Sequence, residues 1–378
     1  MQLSETVKLY PTEYQESLIT KTMSEYVNTV NRFVSDAVSG HSIAKITTAD
    51  VRANLPSALT NQCIRDAKSI VRKHYRSCHK AVLKNRSLAK HNSAIRVKAP
   101  NLPIMKKPCC YINNQNYRIK ENSIEFPVMM DGKSKRISVP VKQTERQKSL
   151  FSGAKFGTMR IVIKNHMLVA QIVYEAAEPE RKADGNLMGV DLGIKCPAVA
   201  YCSDGSVKFY GNGRKNKYMR RHYAHLRKKL QKAKHRNAVK CRNHKEQRIM
   251  KDIDHKISHD IIETAVAHEV KVIKLEQLQN IRFATRTSRK NNHSLHNWSF
   301  YRLAKFIEYK AKLAGITVEY VNPAYTSQRC PVCGHLHHAD DRDYVCKCGF
   351  HIHRDILGAM NICNSTEYVG DSNIRHTA

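Results

Sequence analysis

The stretch Asn186-Leu-Met-Gly-Val-Asp-Leu-Gly193 decides the fold of the second half of the chain. Its short apolar run is typical of a buried strand. Two more strands are predicted close behind it, followed by a long helical stretch, a strand, an amphipathic helix closed by Gly315, a strand and a final helix. The ranges that we predict for these elements are, in order, 198–201, 207–210, 214–268, 270–275, 298–313, 317–321 and 353–362.

Three strands, a helix, a strand, a helix, a strand and a last helix form the element order of an RNase H-like domain. Strands that alternate with helices indicate a sheet covered by helices. Because the first half of the chain has a different pattern, we predict a multidomain α/β protein. Neither an internal repeat nor a low-complexity tract is present.

The first half combines a helical part with a β part. Apolar residues between Leu18 and Phe33 recur at the spacing of a buried helix face, and helical patterning continues to about residue 90. From about 101 to 175 the pattern changes to β hairpins, which we expect to join a strand at 1–10. We therefore predict a β module from 1–10 and 101–178, a helical module at 11–100 and a linker at 179–185.

The charge of the chain restricts its partners. It has 378 residues, enough for two or three domains, and a net charge of +33 from 65 Lys and Arg against 32 Asp and Glu. A surplus this large repels itself in a compact state unless an acidic polymer neutralises it. Nucleic acid is the first candidate for that polymer, and an anionic membrane surface is the second.

Other features argue against the membrane. The start Met1-Gln-Leu-Ser-Glu-Thr lacks the pattern of a signal peptide, and no uncharged apolar run approaches the ~20 residues of a membrane span. We therefore expect a cytosolic protein whose thiols stay reduced. Eight of its 12 cysteines are then interpreted as small buried side chains, whereas the four near the C-terminus need their own explanation.

Two segments concentrate the positive charge. Between Arg214 and Lys251, 16 of 38 residues are Lys or Arg, and Glu246 is the single acid. Such a helix is destabilised by repulsion between its own turns, so we expect a polyanion to order it and phosphates to be its ligands. The segment 61–84 is also basic, where the alternative is a merely solvated helix face. The candidate contacts to nucleic acid are Arg65, Lys68, Arg72, Lys73, Arg76, Arg220, Arg221, Arg227, Lys228, Lys232 and Arg236.

Three carboxylates stand in unusual places. Asp191 and Glu276 each end an apolar run, and Asp355 lies on a short helix with an apolar face. Taken singly, they have plain explanations as a capping aspartate, a strand-end glutamate and a surface aspartate. In the RNase H topology, however, these three positions converge, and three close carboxylates cannot all stay ionised without cations. The set suits two Mg²⁺ ions that catalyse phosphodiester hydrolysis.

Four cysteines form the last motif. Cys330-Pro-Val-Cys333-Gly and Cys346-Lys-Cys348-Gly are separated by 12 residues, a pattern typical of a zinc ribbon. Four thiolates with no open position indicate a structural Zn²⁺ ion. The second pair has one intervening residue instead of two, which leaves His351 or His353 open as a substitute ligand.

Together these residues resemble the TnpB family, the RNA-guided nucleases encoded by small insertion sequences and related to type V CRISPR effectors. The resemblance is specific over 186–363 and general over 1–175. The matching pieces, besides the basic helix, are Tyr10-Pro-Thr12, Gly189-Val-Asp-Leu-Gly-Ile194, Leu275-Glu-Gln-Leu278, Trp298, Tyr309-Lys-Ala311, Thr326-Ser-Gln328, Arg354-Asp355 and Ala359-Met-Asn-Ile362.

The resemblance implies a RuvC-like nuclease domain at 186–324 and 353–363, a zinc ribbon at 325–352 and a C-terminal tail at 364–378. It also implies that the N-terminal helical recognition module and the small β-barrel-like wedge module bind a guide RNA from the transposon end and a short motif that flanks the target. By position, Asp191, Glu276 and Asp355 match the catalytic triad, and Cys330, Cys333, Cys346 and Cys348 match the zinc ribbon.

Three functions are compatible with these features. The leading one is an RNA-guided DNA endonuclease that uses Mg²⁺, acts on double-stranded DNA beside a flanking motif and is monomeric with its RNA. We expect it in the prokaryotic cytoplasm, on the nucleoid when it is bound to DNA. A guided repressor that binds DNA without cleavage is the alternative. A plain RNA-binding zinc-ribbon protein would leave the ordered carboxylates unexplained.

Overall fold

A computed structural model describes residues 1–91, 94–278, 295–339 and 341–367, and for 240–244 it describes the backbone alone. The chain divides into two compact units, Met1–Ala176 and Ala177–Ala378, each with its own core. Within the described residues, no helix combines the length and the apolar character needed to cross a membrane.

The first unit is built from two antiparallel sheets and two long helices. One sheet has the strand order β1-β7-β6-β2, and the other has the order β3-β4-β5. Both sheets and both long helices contribute to a shared apolar core. The elements are β1 (Gln2–Lys8), α1 (Glu13–Val38), α2 (Ser57–Lys90), β2 (Cys109–Ile112), β3 (Arg118–Ile119), β4 (Ser123–Met130), β5 (Lys133–Pro140), α3 (Glu145–Phe151), β6 (Lys155–Lys164) and β7 (Met167–Glu175).

The first strand of the chain completes the larger sheet of this unit. β1 pairs antiparallel with β7 over its full length, from Gln2 opposite Glu175 to Lys8 opposite Val169. Helix α1 follows at once, and Thr12 caps it by accepting a hydrogen bond from the backbone N–H of Gln15 at 3.3 Å. The expected pairing of the N-terminal strand with the β hairpins is present. The division of this unit into a β module and a helical module stays a prediction.

The second unit contains a five-stranded sheet with helices around it. Its strand order is β10-β9-β8-β11-β12, in which β8, β11 and β12 are parallel and β9 and β10 are antiparallel to their neighbours. The predicted strands are present, in the predicted order along the chain. The elements are β8 (Asn186–Asp191), β9 (Ala198–Cys202), β10 (Val207–Tyr210), α4 (Gly213–Lys232), α5 (Arg236–Ala267), β11 (Val270–Glu276), α6 (Phe300–Leu313), β12 (Thr317–Val321), β13 (Asp343–Val345), β14 (His351–His353) and α7 (Arg354–Asn364).

The basic stretch forms two helices, where the sequence predicted one continuous helical stretch at 214–268. A single helix of that length would extend for about 80 Å. Instead, α4 ends at Lys232, and Lys234 adopts a left-handed conformation with φ of 58°. α5 then runs back along α4, and Arg227 of α4 forms an ion pair with Glu246 of α5. The turn was not predicted because Lys234 is not a residue type that favours this conformation.

Helix α7 packs directly on the central strand β8 because β8 has a glycine at the contact. A Cβ atom at Gly189 would lie 2.1 Å from the carbonyl oxygen of Ala359 and 2.4 Å from the backbone nitrogen of Cys363. Only a residue without a side chain permits so close an approach of two backbones. This contact therefore sets the height of α7 above the sheet.

The substitution Gly189→Ala is expected to destabilise the chain by about 2–4 kcal/mol, because it forces α7 away from β8. Urea unfolding of the full-length chain measures the loss. Gly157→Ala on β6 is the matched control, since its Cβ would meet only the Val173 side chain and carbonyl at 3.2 Å or more. Equal losses for both variants would contradict the proposed role of Gly189.

Candidate active site

Two of the predicted carboxylates come from neighbouring parallel strands. Asp191 is the last residue of β8, and Glu276 is the last residue of β11. The register pairs Val190 with Leu275, one position before each carboxylate. Because parallel strands end at the same edge of a sheet, Asp191 and Glu276 lie side by side there.

The third carboxylate comes from the first turn of α7. The backbone N–H of Asp355 donates to Nδ1 of His353, the N-cap residue, at 3.2 Å. One turn later, α7 passes close to Asp191, since a Cβ atom at Gly358 would lie 3.0 Å from its Oδ2. Asp191, Glu276 and Asp355 thus line one cleft of about 530 Å³. The predicted convergence of the three carboxylates is present.

Burial raises the pKa values of Asp191 and Glu276. Burial, followed by the negative charges of Glu276 and Asp355, raises the pKa of Asp191 to about 8. Burial also raises the pKa of Glu276, although a hydrogen bond from the Thr326 hydroxyl opposes this. A divalent cation would favour the ionised forms of these groups, and carboxylate oxygens are the ligands that Mg²⁺ prefers. The donor set therefore fits hard divalent cations.

Further side chains line this site, and Asp341 and Arg354 are among them. Thr326 donates its hydroxyl hydrogen to Oε1 of Glu276, and Arg342 forms an ion pair with Asp355. Lys195 also lines the cleft. Lys195 and Arg342 were not predicted. Lys195 stands only four residues after Asp191, which is a local signal for its place, whereas nothing local in the sequence indicates the position of Arg342.

Arg342 reaches Asp355 through the small hairpin of β13 and β14. These strands pair antiparallel, and the backbone N–H of Arg354 donates to the carbonyl oxygen of Arg342 at 2.7 Å. This pairing brings Arg342 beside the start of α7. The hairpin therefore supplies a positive charge to a site that is otherwise rich in carboxylates.

The four predicted cysteines form a compact cluster. The Sγ atoms of Cys330 and Cys348 are 3.7 Å apart, and those of Cys333 and Cys346 are 3.4 Å apart. All four Sγ atoms lie within 4.8 Å of one another. A tetrahedral zinc ion with Zn–S bonds of about 2.3 Å needs sulfur atoms roughly 3.8 Å apart. The cluster therefore fits a structural zinc ion.

The backbone explains how the shorter cysteine pair works. The N–H of Gly334 donates to the carbonyl oxygen of Cys330, four residues earlier, whereas the N–H of Gly349 donates to Cys346, three residues earlier, both at 3.0 Å. Both glycines have positive φ, at 71° and 89°. The second turn is thus one residue tighter and still presents both sulfur atoms.

The two alternative zinc ligands stand apart from this cluster. Among the described residues, the group that gathers around the four sulfur atoms contains no histidine. His353 instead caps α7 and makes an edge-to-face contact with Phe209, with ring centroids 5.4 Å apart. The four-cysteine ligand set is therefore favoured over one that includes His351 or His353.

The residues predicted to contact nucleic acid fall into two groups, one engaged within the fold and one exposed. Lys68 donates to the carbonyl oxygen of Ala44 at 2.8 Å, Arg227 pairs with Glu246, and Arg220 lies half-buried. These three side chains therefore have roles within the protein fold. The other predicted residues are exposed, namely Arg65, Arg72, Lys73 and Arg76 on α2, Arg221, Lys228 and Lys232 on α4, and Arg236 on α5.

Two family profiles match this chain. A profile described as a probable transposase matches residues 171–282, a segment that contains Asp191 and Glu276. A profile for the TNB domain of Cas12f1-like proteins matches residues 300–362, a segment that contains Asp355 and the four cysteines. The two matches together include every carboxylate and thiol of the candidate sites.

Curated relatives point the same way. A TnpB-like protein of Methanocaldococcus jannaschii is 36% identical over 165 residues, which are 41% of this chain and 59% of that protein. The resemblance to the TnpB family is confirmed. The chain is also 32% identical over 135 residues to a CRISPR-associated endodeoxyribonuclease Cas12f1 of Syntrophomonas palmitatica, covering 35% of this chain and 25% of the enzyme. Each alignment spans less than two thirds of the relative.

Solved structures share the fold of this chain. A Cas12f1 in complex with sgRNA and target DNA superposes with a TM-score of 0.59 at 12% identity, covering 96% of this chain and 99% of that one. The mini-RNA-guided endonuclease CRISPR-Cas phi3 superposes with a TM-score of 0.53 at 13% identity, covering 96% and 92%. At this identity the likeness establishes the fold, which is multidomain α/β.

The raised pKa of Asp191 predicts how stability depends on pH without divalent cations. The stabilising contribution of its protonated form is fully present near pH 4 and is lost as the pH rises through about 8. Asp191→Asn keeps a neutral side chain at every pH. We expect this variant to be more stable than the parent by about 2–4 kcal/mol at pH 8.5 and nearly equal at pH 4.

Urea unfolding at both pH values in buffer freed of divalent cations measures this difference. Asp184→Asn is the control, because Asp184 is exposed and lies outside the cleft. Its stability should follow that of the parent at both pH values. If Asp191→Asn gains nothing at pH 8.5, the repulsion within the carboxylate cleft is not as described.

Proposed function

We propose that this chain is an RNA-guided DNA endonuclease that hydrolyses phosphodiester bonds in a RuvC-like site beside a short flanking motif. The observation that carries the proposal is the convergence of Asp191, Glu276 and Asp355 in one cleft. Support comes from the relatives, whose names include endodeoxyribonucleases, and from a shared fold with an RNA-guided complex. In such systems base pairing provides the sequence specificity.

The residues of the cleft have distinct parts in this proposal. Asp191, Glu276 and Asp355 would hold two Mg²⁺ ions. When bound, two such ions supply an activated water and stabilise the leaving 3′ oxygen of the phosphodiester. Thr326 holds the Glu276 carboxylate in a fixed orientation. Lys195, at the rim of the cleft, is placed to attract the phosphate of the DNA strand.

Arg342 balances the charge of Asp355 in the ion-free cleft. Its guanidinium pairs with that carboxylate, and an arginine is always charged at physiological pH. Its contact is with Oδ2 of Asp355, so the other oxygen of that carboxylate stays available to a cation. Beside the cleft, the guanidinium would also be able to pair with a phosphate of the substrate.

We assign the zinc ion to Cys330, Cys333, Cys346 and Cys348. The sulfur distances fit one tetrahedral ion, and the site leaves no position for substrate. Backbone hydrogen bonding at Cys348, followed by contacts with the other thiols, lowers the pKa of Cys346 to about 6. A thiolate, the form that binds zinc, is thereby favoured at this position. Its partner Cys333 shifts the other way: although a backbone hydrogen bond at His335 opposes the shift, hydrogen bonding to Cys346 raises the pKa of Cys333 to about 12.

The exposed basic faces complete the proposal. The exposed basic side chains of α2, α4 and α5 would bind the phosphates of the guide RNA and of the RNA–DNA duplex. The helical module and the wedge-type β module of the N-terminal half would recognise the RNA from the transposon end and the flanking motif. We propose a monomer with its RNA, located in the cytoplasm and on the nucleoid.

DNA cleavage by the chain, co-expressed with its adjacent genomic RNA, tests the function. The substrate is a plasmid library with a fixed target beside randomised flanks. We expect Mg²⁺-dependent loss of the plasmids that carry one class of flanks. The Asp191→Ala variant should cleave about a hundredfold more slowly or worse, because the metal lowers the barrier by several kcal/mol. Asp184→Ala, an exposed aspartate outside the cleft, should cleave like the parent.

Two other results would redirect the proposal. Binding to the target that depends on the guide, with no cleavage by the parent chain, would favour the guided repressor. Neither binding nor cleavage would show that the RNA partner or the function is wrong. Full activity of Asp191→Ala would exclude the carboxylate cleft as the active site.

Zinc content provides a separate prediction. The purified full-length chain should carry one zinc ion, and Cys346→Ser should lose it together with thermal stability, because the remaining three thiolates leave the site open. Elemental analysis measures the metal. Cys78→Ser, outside the cluster, is the matched control and should keep the ion. Loss of zinc in His353→Gln, with retention in Cys346→Ser, would establish the alternative ligand set.

A further inference from the structure

A second cavity, of about 620 Å³, adjoins the carboxylate cleft. It lies between the start of α4, the middle of α5 and the residues that precede α6. Apolar side chains form much of its wall, and its volume is in the range of sites that hold small organic groups. The apolar lining residues are Ile194, Pro197, Ala224, Met250, Trp298 and Leu303.

Three cationic side chains line this cavity. Lys217, Arg220 and Arg221, which are successive basic residues of α4, all line it. Asp254 also lines the cavity, but its two oxygens accept hydrogen bonds from Ser299 at 3.2 Å and from Arg302 at 2.7 Å. Its charge is thus balanced by Arg302. The cavity therefore combines apolar lining residues with cationic ones, which suits a group that is flat and apolar but attached to phosphates.

Trp298 connects this cavity to the candidate active site. It lines both the cavity and the carboxylate cleft, and it precedes Ser299, which is fixed by Asp254. Gly193 and Ile194, which also line the cavity, follow Asp191 closely in sequence. A polynucleotide strand whose phosphate lies in the cleft therefore passes within reach of the indole ring.

We propose that this cavity receives an unpaired nucleobase of the DNA strand next to the bond that is cut, and that Trp298 stacks on it. The proposal rests on the nuclease function proposed above. Every base has a π face, so stacking accepts any sequence, as a guided enzyme requires. Lys217 and Arg221, the two exposed basic residues of α4 that line the cavity, would hold the phosphates on either side of the inserted base.

Such an insertion would position the strand. A base that is anchored beside the cleft limits how far the neighbouring phosphate can slide past Asp191 and Glu276. Trp298 is thus a positioning residue for the cleavage step. We choose DNA rather than RNA as the occupant because the cavity shares a wall with the carboxylate cleft. In the proposed function, the DNA strand is cut in that cleft.

The chain contains a single tryptophan, so the fluorescence of Trp298 reports on this site alone. The full-length chain is titrated, without Mg²⁺, with a single-stranded DNA oligonucleotide and with an abasic oligonucleotide of the same length and charge. We expect saturable quenching by the first. Loss of the bases should weaken the binding seen by Trp298 by roughly 5- to 150-fold, the range expected for stacking of one base.

The variant Ala224→Leu fills the cavity from α4 without removing any charge or the fluorophore. It should weaken the quenching by at least fivefold, whereas Ala238→Leu, the same change at an exposed position of α5 that does not line the cavity, should leave it unchanged. Circular dichroism and thermal unfolding verify that both variants are folded. If Ala224→Leu is unfolded, the comparison of the two oligonucleotides on the parent chain decides whether a base stacks on Trp298.

Three outcomes would overturn the inference. They are equal quenching by the abasic oligonucleotide, unchanged quenching in a folded Ala224→Leu variant, and much tighter quenching by RNA than by DNA, which would make the guide the occupant. This test is independent of cleavage. If the parent cleaves target DNA and Trp298 does not stack, only this inference fails. If Trp298 stacks and no guided cleavage occurs, the proposed function fails.

Discussion

The burial of closely spaced carboxylates in one cleft is the constraint on which the candidate site of the second unit depends. Asp191, Glu276 and Asp355 line one cleft, and the pKa of Asp191 is raised to about 8 there. Like charges do not stay together unless other forces hold them. The β8–β11 ladder fixes two of them, and the packing of α7 on Gly189 fixes the third. The backbone therefore maintains a site that its own charges oppose, which is the condition for a strong cation-binding site.

The cysteine cluster supports the same cleft. Leu357 of α7 shares a small apolar core with Cys330, Tyr344 and Cys346. On its other side, the hairpin of β13 and β14 brings Arg342 to Asp355. A metal that stabilises this cluster would therefore also stabilise the start of α7 and the position of Asp355. The cysteine cluster lies between β12 and α7 in the chain. Through this position it supports the candidate active site.

Much of the second unit was predictable because its signals are local. Apolar runs that end in Asp191 and Glu276 indicate strands, and the cysteine spacing with its two glycines indicates paired turns. The break at Lys234 was missed, because lysine is not a residue type that marks a left-handed turn in the sequence. Arg342 was missed for a similar reason. Its role arises from strand pairing, which leaves no periodic pattern in the surrounding residues.

The sequence by itself determined the order of the strands and helices, the excess of positive charge, and the identity of the carboxylates and thiols, since periodicity and composition are properties of short segments. Tertiary structure decided which of these residues meet. It separated the basic side chains that serve the fold, such as Arg227, from those left on the surface. It also created the cavity beside Trp298, whose walls come from segments more than a hundred residues apart in sequence. Contacts at that distance depend on how elements pack, and no local pattern records them.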